Sequence, residues 1–168
     1  IGINRFLEKV WSISEKPLVD IDLLGDLDKD MAEIRKSLHR TIKKVSNDTA
    51  TLNFNTAISQ MMIFINDIAK LDSIPKSLWI DFVKMLSVYA PHLGEELWEK
   101  LGKGDFNKGE NTIAYESWPT YNEDFCKDNS VTIVVQINGK IRDKFEASPN
   151  ADKAEIEKMA LATEGAKR

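Results

Sequence analysis

Apolar residues recur at spacings of three and four along the first hundred residues, which is typical of helices that bury one face. In the first stretch the apolar positions are 3, 6, 7, 10 and 13, and Pro17 ends the pattern. An acidic loop at 20–28, a break at 47–49 and a turn at 72–75 separate the later stretches. The pattern predicts helices from Asp28 or Asp30 to about Ser46, over 54–71, over 76–90 and from Pro91 to Leu101.

The segment 102–130 is predicted to be irregular, because it is rich in glycine, asparagine and aspartate and contains Pro119. Three of its aromatic residues lie close together near the middle of the segment. We expect them to hold the segment against the helices, since large aromatic side chains gain most from burial. They are Tyr115, Trp118 and Tyr121.

The pattern changes to strict alternation after residue 130, which predicts strands over 131–137 and 140–146 joined by Asn138-Gly139, a strong hairpin signal. A last helix is predicted over about 151–163. A two-residue loop would place the basic residues of the second strand on the apolar face of the first. A three-residue loop, with Gly139 left-handed at a bulge, pairs Val135 with Ile141 and Val131 with Phe145. Burial favours this second register, which leaves Lys140, Arg142 and Lys144 on the polar face.

The predicted fold is mainly α: a helical bundle over 1–125, followed by a small α/β unit over 126–168 that consists of a β-hairpin and a helix. A hairpin with one helix makes a poor core by itself. We therefore expect the second unit to be incomplete here. The first residue is isoleucine, which suggests that the chain is part of something longer.

Composition places the chain among ordinary globular proteins, with 168 residues, 42% hydrophobic residues and a net charge of −4. The single cysteine, Cys126, rules out an internal disulfide and fits a reducing compartment. No apolar run is long enough to span a bilayer and no signal peptide opens the chain, so a cytoplasmic protein is expected. Two histidines leave too few ligands for a catalytic zinc site, and no catalytic, metal or cofactor motif is found.

The sharpest charge feature is the run 35–44, which holds five Lys or Arg residues and no acid, directly after six acids in 20–33. Lys36, Arg40 and Lys44 recur at every fourth position, opposite the apolar Leu38 and Ile42. One face of this helix is therefore core and the other is basic. The basic face is either a solvated helix surface or a surface that contacts phosphates.

A second basic group lies on the first helix, where Arg5 and Lys9 are one turn apart and Trp11 follows. Trp11 is suited to stacking on a base, but sealing the helical bundle is the more ordinary role for a tryptophan. With no candidate nucleophile, base or phosphate loop, the residues by themselves indicate a helical binding module and not an enzyme.

Six segments in order resemble the bacterial-type leucyl-tRNA synthetases, a family of class I aminoacyl-tRNA synthetases. The first four also occur, more loosely, in the isoleucine, valine and methionine enzymes. The last, which follows a Trp-Pro segment, is the one that favours leucine. The segments are 4–11 (NRFLEKVW), 38–45 (LHRTIKKV), 54–58 (FNTAI), 90–98 (APHLGEELW), 116–119 (ESWP) and 133–142 (IVVQINGKIR).

The resemblance implies a helical anticodon-binding domain followed by a small C-terminal domain. It implies a parent enzyme that joins leucine to its tRNA with ATP and magnesium and edits mischarged tRNA. The ATP-site motifs, the nucleotide fold and the editing insertion of that family are absent from the chain. We therefore expect no catalytic activity from these residues alone. The expected partners are leucine tRNA and the parent's other domains, and the chain is expected to be monomeric.

The resemblance also implies how the tRNA is held: through phosphate, ribose and shape contacts, with little use of the anticodon. The alternatives are the equivalent part of an isoleucyl, valyl or methionyl enzyme, and a helical protein-interaction module that never meets RNA. Basic and aromatic residues on the first two helices and the hairpin are the candidate contacts. They are Arg5, Lys9, Trp11, Lys36, Arg40, Lys43, Lys44, Lys140, Arg142 and Lys144.

Overall fold

The computed structural model describes residues 2–105, 108–127, 131–137, 140–147 and 151–163. The chain divides into two compact units, Ile1–Cys126 and Lys127–Arg168. The first is the helical unit and the second is the hairpin unit. Each has its own secondary structure and contacts, as described below.

The helical unit contains the five helices that periodicity predicts, and their observed ends differ from the predicted ones by a few residues. A two-residue strand pair and two short helical turns complete it, none of which the sequence pattern predicts. The elements are α1 (Gly2–Ser14), β1 (Leu18–Val19), α2 (Lys29–Ala50), α3 (Phe54–Ile68), β2 (Ile74–Pro75), α4 (Lys76–Ser87), α5 (Pro91–Lys100), a 3₁₀ turn (Ile113–Tyr115) and α6 (Glu123–Cys126). The strands β1 and β2 pair in parallel.

Helix α2 continues through the predicted break at 47–49 and ends only at Ala50, so that prediction is wrong. Polar side chains near the predicted break form hydrogen bonds within the helix. The hydroxyls of Ser46 and Thr49 each donate to the carbonyl four residues earlier, at 2.6 Å. Such back-bonding satisfies the side chain without interrupting the backbone ladder. The chain then turns at Leu52, whose φ of 61° lies in the left-handed region.

The core of the helical unit is built around aromatic residues of α3 and α4. The rings of Trp79 and Phe82 stack with centroids 5.3 Å apart, and Phe64 lies 5.7 Å from Phe82. All three side chains are at most 2% exposed. Helices α4 and α5 approach closely at Gly94, where an added Cβ would lie 2.6 Å from the Cβ of Ser87.

The segment after α5 is irregular but tied down. The backbones of Asp105 and Glu110 form a bridge, and the indole N–H of Trp98 donates to the carbonyl of Asn111 at 3.0 Å. Of the three aromatic residues expected to hold the segment, Tyr115 is 91% exposed, and the prediction for it is wrong. It sits at the end of a 3₁₀ turn whose buried residue is Ile113, which therefore supplies the apolar anchor there.

The hairpin unit consists of β3 (Val131–Ile137), β4 (Lys140–Ala147) and α7 (Lys153–Ala162). The strands are antiparallel, as predicted, but the favoured register is wrong. Ile133 pairs with Phe145 and Val135 pairs with Asp143. The predicted turn at 138–139, with its bulge at Gly139, lies outside the described residues.

The register changes within the hairpin, between Val135 and Gln136, and this explains the error. Nearer the turn, Ile137 pairs with Lys140. Beyond the shift one extra residue of β4 is accommodated, as in a β-bulge. The shift lets Phe145 meet Ile133 on the half-buried face while Lys144 stays exposed opposite Val134. It also interrupts the strict alternation on which we had grouped Lys140 with the other two basic residues.

Candidate nucleic-acid interface

The basic face of α2 is not bare: residues 118–126, which we call the strap, lie along it. The strap contacts a stripe of α2 made of Arg35, His39, Lys43 and Ser46, which are spaced four, four and three apart and so share one helix face. It runs antiparallel to the helix, from Ser46 towards Arg35. The run of positive charge seen in the sequence is therefore partly a docking surface for the protein's own chain.

Polar contacts hold the strap to α2. The indole N–H of Trp118 donates to the hydroxyl of Ser46 at 2.7 Å, and the backbone N–H of Asn122 donates to Nδ1 of His39 at 3.2 Å. The other two use basic residues. Lys43 Nζ donates to Oε2 of Glu123 at 2.8 Å, and Arg40 Nε donates to the carbonyl of Cys126 at 3.3 Å.

Aromatic contacts complete the docking. The guanidinium of Arg35 lies over the ring of Phe125, with 4.1 Å between Cζ and the ring centroid. The imidazole of His39 packs on the same ring at 5.0 Å. Lys43 Nζ lies 5.8 Å from the ring centroid of Tyr121. A cation over a ring face is attracted by the ring quadrupole, so the aromatic residues of the strap suit a basic helix.

Where the strap meets α2, the pKa values of several groups are shifted. Burial, and secondarily the charge of Arg35, lower the pKa of His39, so the neutral imidazole that accepts from Asn122 is the favoured form. The hydrogen bond to Glu123 raises the pKa of Lys43. Burial raises the pKa of the Cys126 thiol, with Glu123 adding to the shift. These directions favour a cationic Lys43 beside a neutral histidine and a neutral thiol.

The remaining predicted residues of α2 pair with acids of their own helix. Lys36 Nζ lies 2.6 Å from Oε1 of Glu33, and Lys44 Nζ lies 2.8 Å from Oδ2 of Asp48. The hydrogen bond from Lys44 is the main cause that lowers the pKa of Asp48. All four predicted cations of α2 thus have a protein partner, so a phosphate must compete with that partner for each of them.

The predicted residues of α1 lie at a groove and at a half-exposed edge. Arg5 and Lys9 line a groove of about 270 Å³ between α1 and α3, and Lys9 Nζ donates to Oδ1 of Asn66 at 2.6 Å. Within the described residues, the exposed Arg5 has no hydrogen bond or ion pair. Trp11 is 41% exposed, and Lys100 Nζ lies 4.3 Å from its ring centroid. One face of that indole is therefore already covered by a cation.

In the hairpin unit the predicted residues Arg142 and Lys144 are exposed. Neither side chain has a hydrogen bond or ion pair to any other described residue. Lys140 is placed only as the backbone partner of Ile137. The hairpin therefore offers two accessible cations, while those of α2 are already engaged.

The sequence analysis missed the strap residues Glu123 and Phe125, and it missed His39 of α2, on which Phe125 packs. The signal was present: acids and aromatic residues at 116–125 complement the acid-free run at 35–44 in both charge and chemistry. Among the described residues, no group of three or more His, Cys, Asp or Glu side chains is arranged to hold a metal. Nor is any described helix long and apolar enough to cross a membrane.

A family model described as the anticodon-binding domain of tRNA ligase matches residues 32–158. The chain belongs to this family. The match takes in α2, the strap and most of the hairpin unit. It confirms the helical anticodon-binding domain that the resemblance implied.

Two relatives sharpen the picture of this anticodon-binding domain. It is 42% identical, over 184 aligned positions, to a leucine–tRNA ligase of Treponema pallidum subsp. pallidum, covering all of this chain and 20% of that protein. Its fold matches, with a TM-score of 0.70, the ternary complex of the Agrobacterium radiobacter K84 agnB2 LeuRS with tRNA and LeuAMS, at 25% identity over 99% of this chain and 22% of that one. The chain thus spans about a fifth of these relatives.

Proposed function

We propose that this chain is the tRNA-binding part of a leucine–tRNA ligase, an enzyme that attaches leucine to its cognate tRNA with ATP. The observation that carries the proposal is the similarity along the whole chain to a leucine–tRNA ligase, combined with membership in the anticodon-binding family. The fold shared with a synthetase bound to tRNA supports the same function. The catalytic step and the use of ATP and magnesium belong to the rest of the parent protein, which we propose to be a cytoplasmic enzyme.

The chain positions tRNA through contacts to the phosphate backbone. Its net charge of −4 repels RNA as a whole, so binding depends on where cations are accessible. Arg5 on α1 and Arg142 and Lys144 on β4 meet that condition best. The cations of α2 contribute only after exchanging a protein partner for a phosphate. Backbone contacts of this kind fix the orientation of the tRNA without reading its bases.

Leucine tRNA carries a long variable arm, so a leucine tRNA without this arm tests whether binding depends on it. Binding of the 168-residue chain is measured to leucine tRNA, to the same tRNA without its variable arm and to a non-cognate tRNA, each at two salt concentrations. Binding that weakens with salt and favours the intact leucine tRNA is the expected result, because counterion release makes phosphate contacts salt-dependent.

The other outcomes decide between the remaining candidates. Preference for isoleucine, valine or methionine tRNA would assign the chain to the corresponding enzyme. Equal binding to leucine tRNA, to the same tRNA without its variable arm and to the non-cognate tRNA would mean that the chain makes only generic contacts with phosphates. The complete absence of binding at low salt would contradict the proposal and favour a protein-interaction module.

A further inference from the structure

We propose that the strap is a displaceable cover: it occupies the basic face of α2 in the unbound protein and is exchanged for RNA phosphates when tRNA binds. This inference rests on the proposed tRNA-binding function and adds a regulatory step to it. It would make α2 a latent surface for a polyanion, and the strap an internal competitor for that surface.

The first argument is chemical identity between the strap's contacts and those of a phosphate. Lys43 meets a carboxylate oxygen of Glu123 at 2.8 Å, and Arg40 meets the carbonyl oxygen of Cys126 at 3.3 Å. Oxygen acceptors on Lys and Arg are what a nucleic-acid backbone also provides, with more charge. The contacts that Lys43 and Arg40 make with the strap can therefore be replaced by contacts with phosphate oxygens.

The second argument is that little burial holds the strap in place. Pro119 is the one buried residue of the strap, whereas residues 120–124 are exposed, Phe125 and Cys126 are half-buried, and Trp118 is 36% exposed. Glu123 and Lys43 are 60% and 39% exposed in their side chains, so their ion pair is screened by water. A segment with few buried apolar contacts opens at low cost compared with the core helices.

The third argument is the electrostatic repulsion that a polyanion would meet if it bound while the strap stayed docked. A polyanion that approaches Arg40 or Lys43 while the strap is docked also approaches the carboxylate of Glu123. Repulsion between the polyanion and this carboxylate disfavours binding, so moving Glu123 away stabilises the bound state. The same movement exposes the guanidinium of Arg35, which now lies over Phe125.

The test removes the strap's hold without touching the basic residues. In the full 168-residue chain, Glu123→Gln should tighten tRNA binding about two- to fivefold, the range in which exposed ion pairs contribute. It should also steepen the slope of log affinity against log salt by about one unit, because one more cation becomes available to phosphate. Phe125→Ala should tighten binding in the same direction, with an unchanged circular dichroism spectrum.

Glu96→Gln on α5 is the matched control, because it removes the same charge from an exposed position away from the strap. Hydrogen exchange of the peptide 118–126 gives an independent readout and should speed up when tRNA is added. Unchanged or weaker binding by both strap variants, with exchange that slows or stays constant, would overturn the proposal while leaving tRNA binding intact.

Failure of the proposed function has a different signature. If the unaltered chain binds no tRNA, heparin replaces it as the polyanion and the same variants are compared. Tighter heparin binding by Glu123→Gln and Phe125→Ala, but not by Glu96→Gln, would support the strap without the tRNA function. No difference among the variants would overturn both.

Discussion

The helical unit and the hairpin unit differ in how they bury apolar side chains and pair basic ones. The helical unit has a buried aromatic core in α3 and α4, and the predicted cations of α2 are bound to acids or carbonyls of the same chain. In the described part of the hairpin unit, Val134 and Ile141 are 42% and 59% exposed, and Arg142 and Lys144 are accessible. The helical unit therefore combines a packed core with paired cations, whereas the described side chains of the hairpin unit include exposed apolar residues and accessible basic ones.

The difference shows that a basic residue in the sequence is not the same as an available charge. Five cations in ten residues made 35–44 the strongest candidate surface. The structure gives that run a partner segment about 80 residues further along the chain, whereas the less conspicuous cations of β4 stay open. Whether a basic side chain is available to a ligand depends on its tertiary contacts. Four predictions test the contrast between the two units.

The largest expected effect is on the stability of the helical unit. Phe82→Ala removes a fully buried ring that contacts both Trp79 and Phe64, so it should lower the free energy of unfolding by about 3–5 kcal/mol. All four tryptophans lie in this unit, so urea denaturation followed by tryptophan fluorescence reports on it directly. Phe145→Ala, at a half-buried position of β4, is the control; it should cost the hairpin unit about 1 kcal/mol, followed by far-UV circular dichroism because that unit has no tryptophan. Equal losses would remove the contrast between the two units.

The second prediction concerns the close approach of α4 and α5. Gly94→Ala places a methyl group 2.6 Å from the Cβ and 2.7 Å from the Cα of Ser87, so the helices must separate. Overpacking of this kind should cost about 1–3 kcal/mol, measured as a shift in the urea midpoint. Gly2→Ala, which meets no atom within 4 Å, is the matched control and should be neutral or slightly stabilising. A neutral Gly94→Ala would mean that the helices pack less tightly than described.

The helices were predictable from the sequence because their signal is local. Apolar residues at three and four identify α1 to α5, and Asp28 caps α2 by accepting from the N–H of Met31. The end of α2 was not predictable in the same way. Serine, threonine and asparagine favour breaks in general, and only the structure shows the hydroxyls of Ser46 and Thr49 bonding back to the helix.

The hairpin register and the strap were missed for a different reason. Alternation in β3 and β4 fixes which residues share a face only while the register is constant, and the shift at Val135 breaks that assumption. The strap joins residues 72 to 90 positions apart, such as Ser46 with Trp118 and Arg35 with Phe125. Charge and aromatic content made the two segments compatible, but compatibility does not identify a contact, and many basic runs remain solvated.

The third prediction compares the two sets of cations as tRNA contacts. The double reversal Arg142→Glu with Lys144→Glu should weaken tRNA binding about tenfold and lower the salt slope by about two units, because both charges are accessible. The double reversal Lys36→Glu with Lys44→Glu should weaken binding less, since Glu33 and Asp48 already hold those ammonium groups. Filter binding across a salt series measures both. A larger effect from the α2 pair would invert the ranking of the two surfaces.

The smallest expected effect is a pH dependence of the strap. His39 faces the cationic Arg35 on its own helix and the backbone of Asn122 and the ring of Phe125 on the strap. Burial and Arg35 place its pKa in the folded protein below its ordinary value. The strap contact is therefore fully present above about pH 6.5, the ordinary value, and weakens as the pH falls through the lower folded-state pKa. Protonation places a hydrogen on Nδ1, which then cannot accept from the N–H of Asn122.

The amide resonance of Asn122 gives a direct readout of that contact. In an NMR titration it should move towards the position of a solvent-exposed amide as the pH is lowered, while the core amides of α4 stay in place. His39→Asn keeps an acceptor near the position of Nδ1 but does not titrate, so the same resonance should lose its pH dependence. Movement that persists in this variant would show that the pH dependence does not come from the imidazole of His39. The hydrogen bond to the imidazole would then be incidental to the docking of the strap.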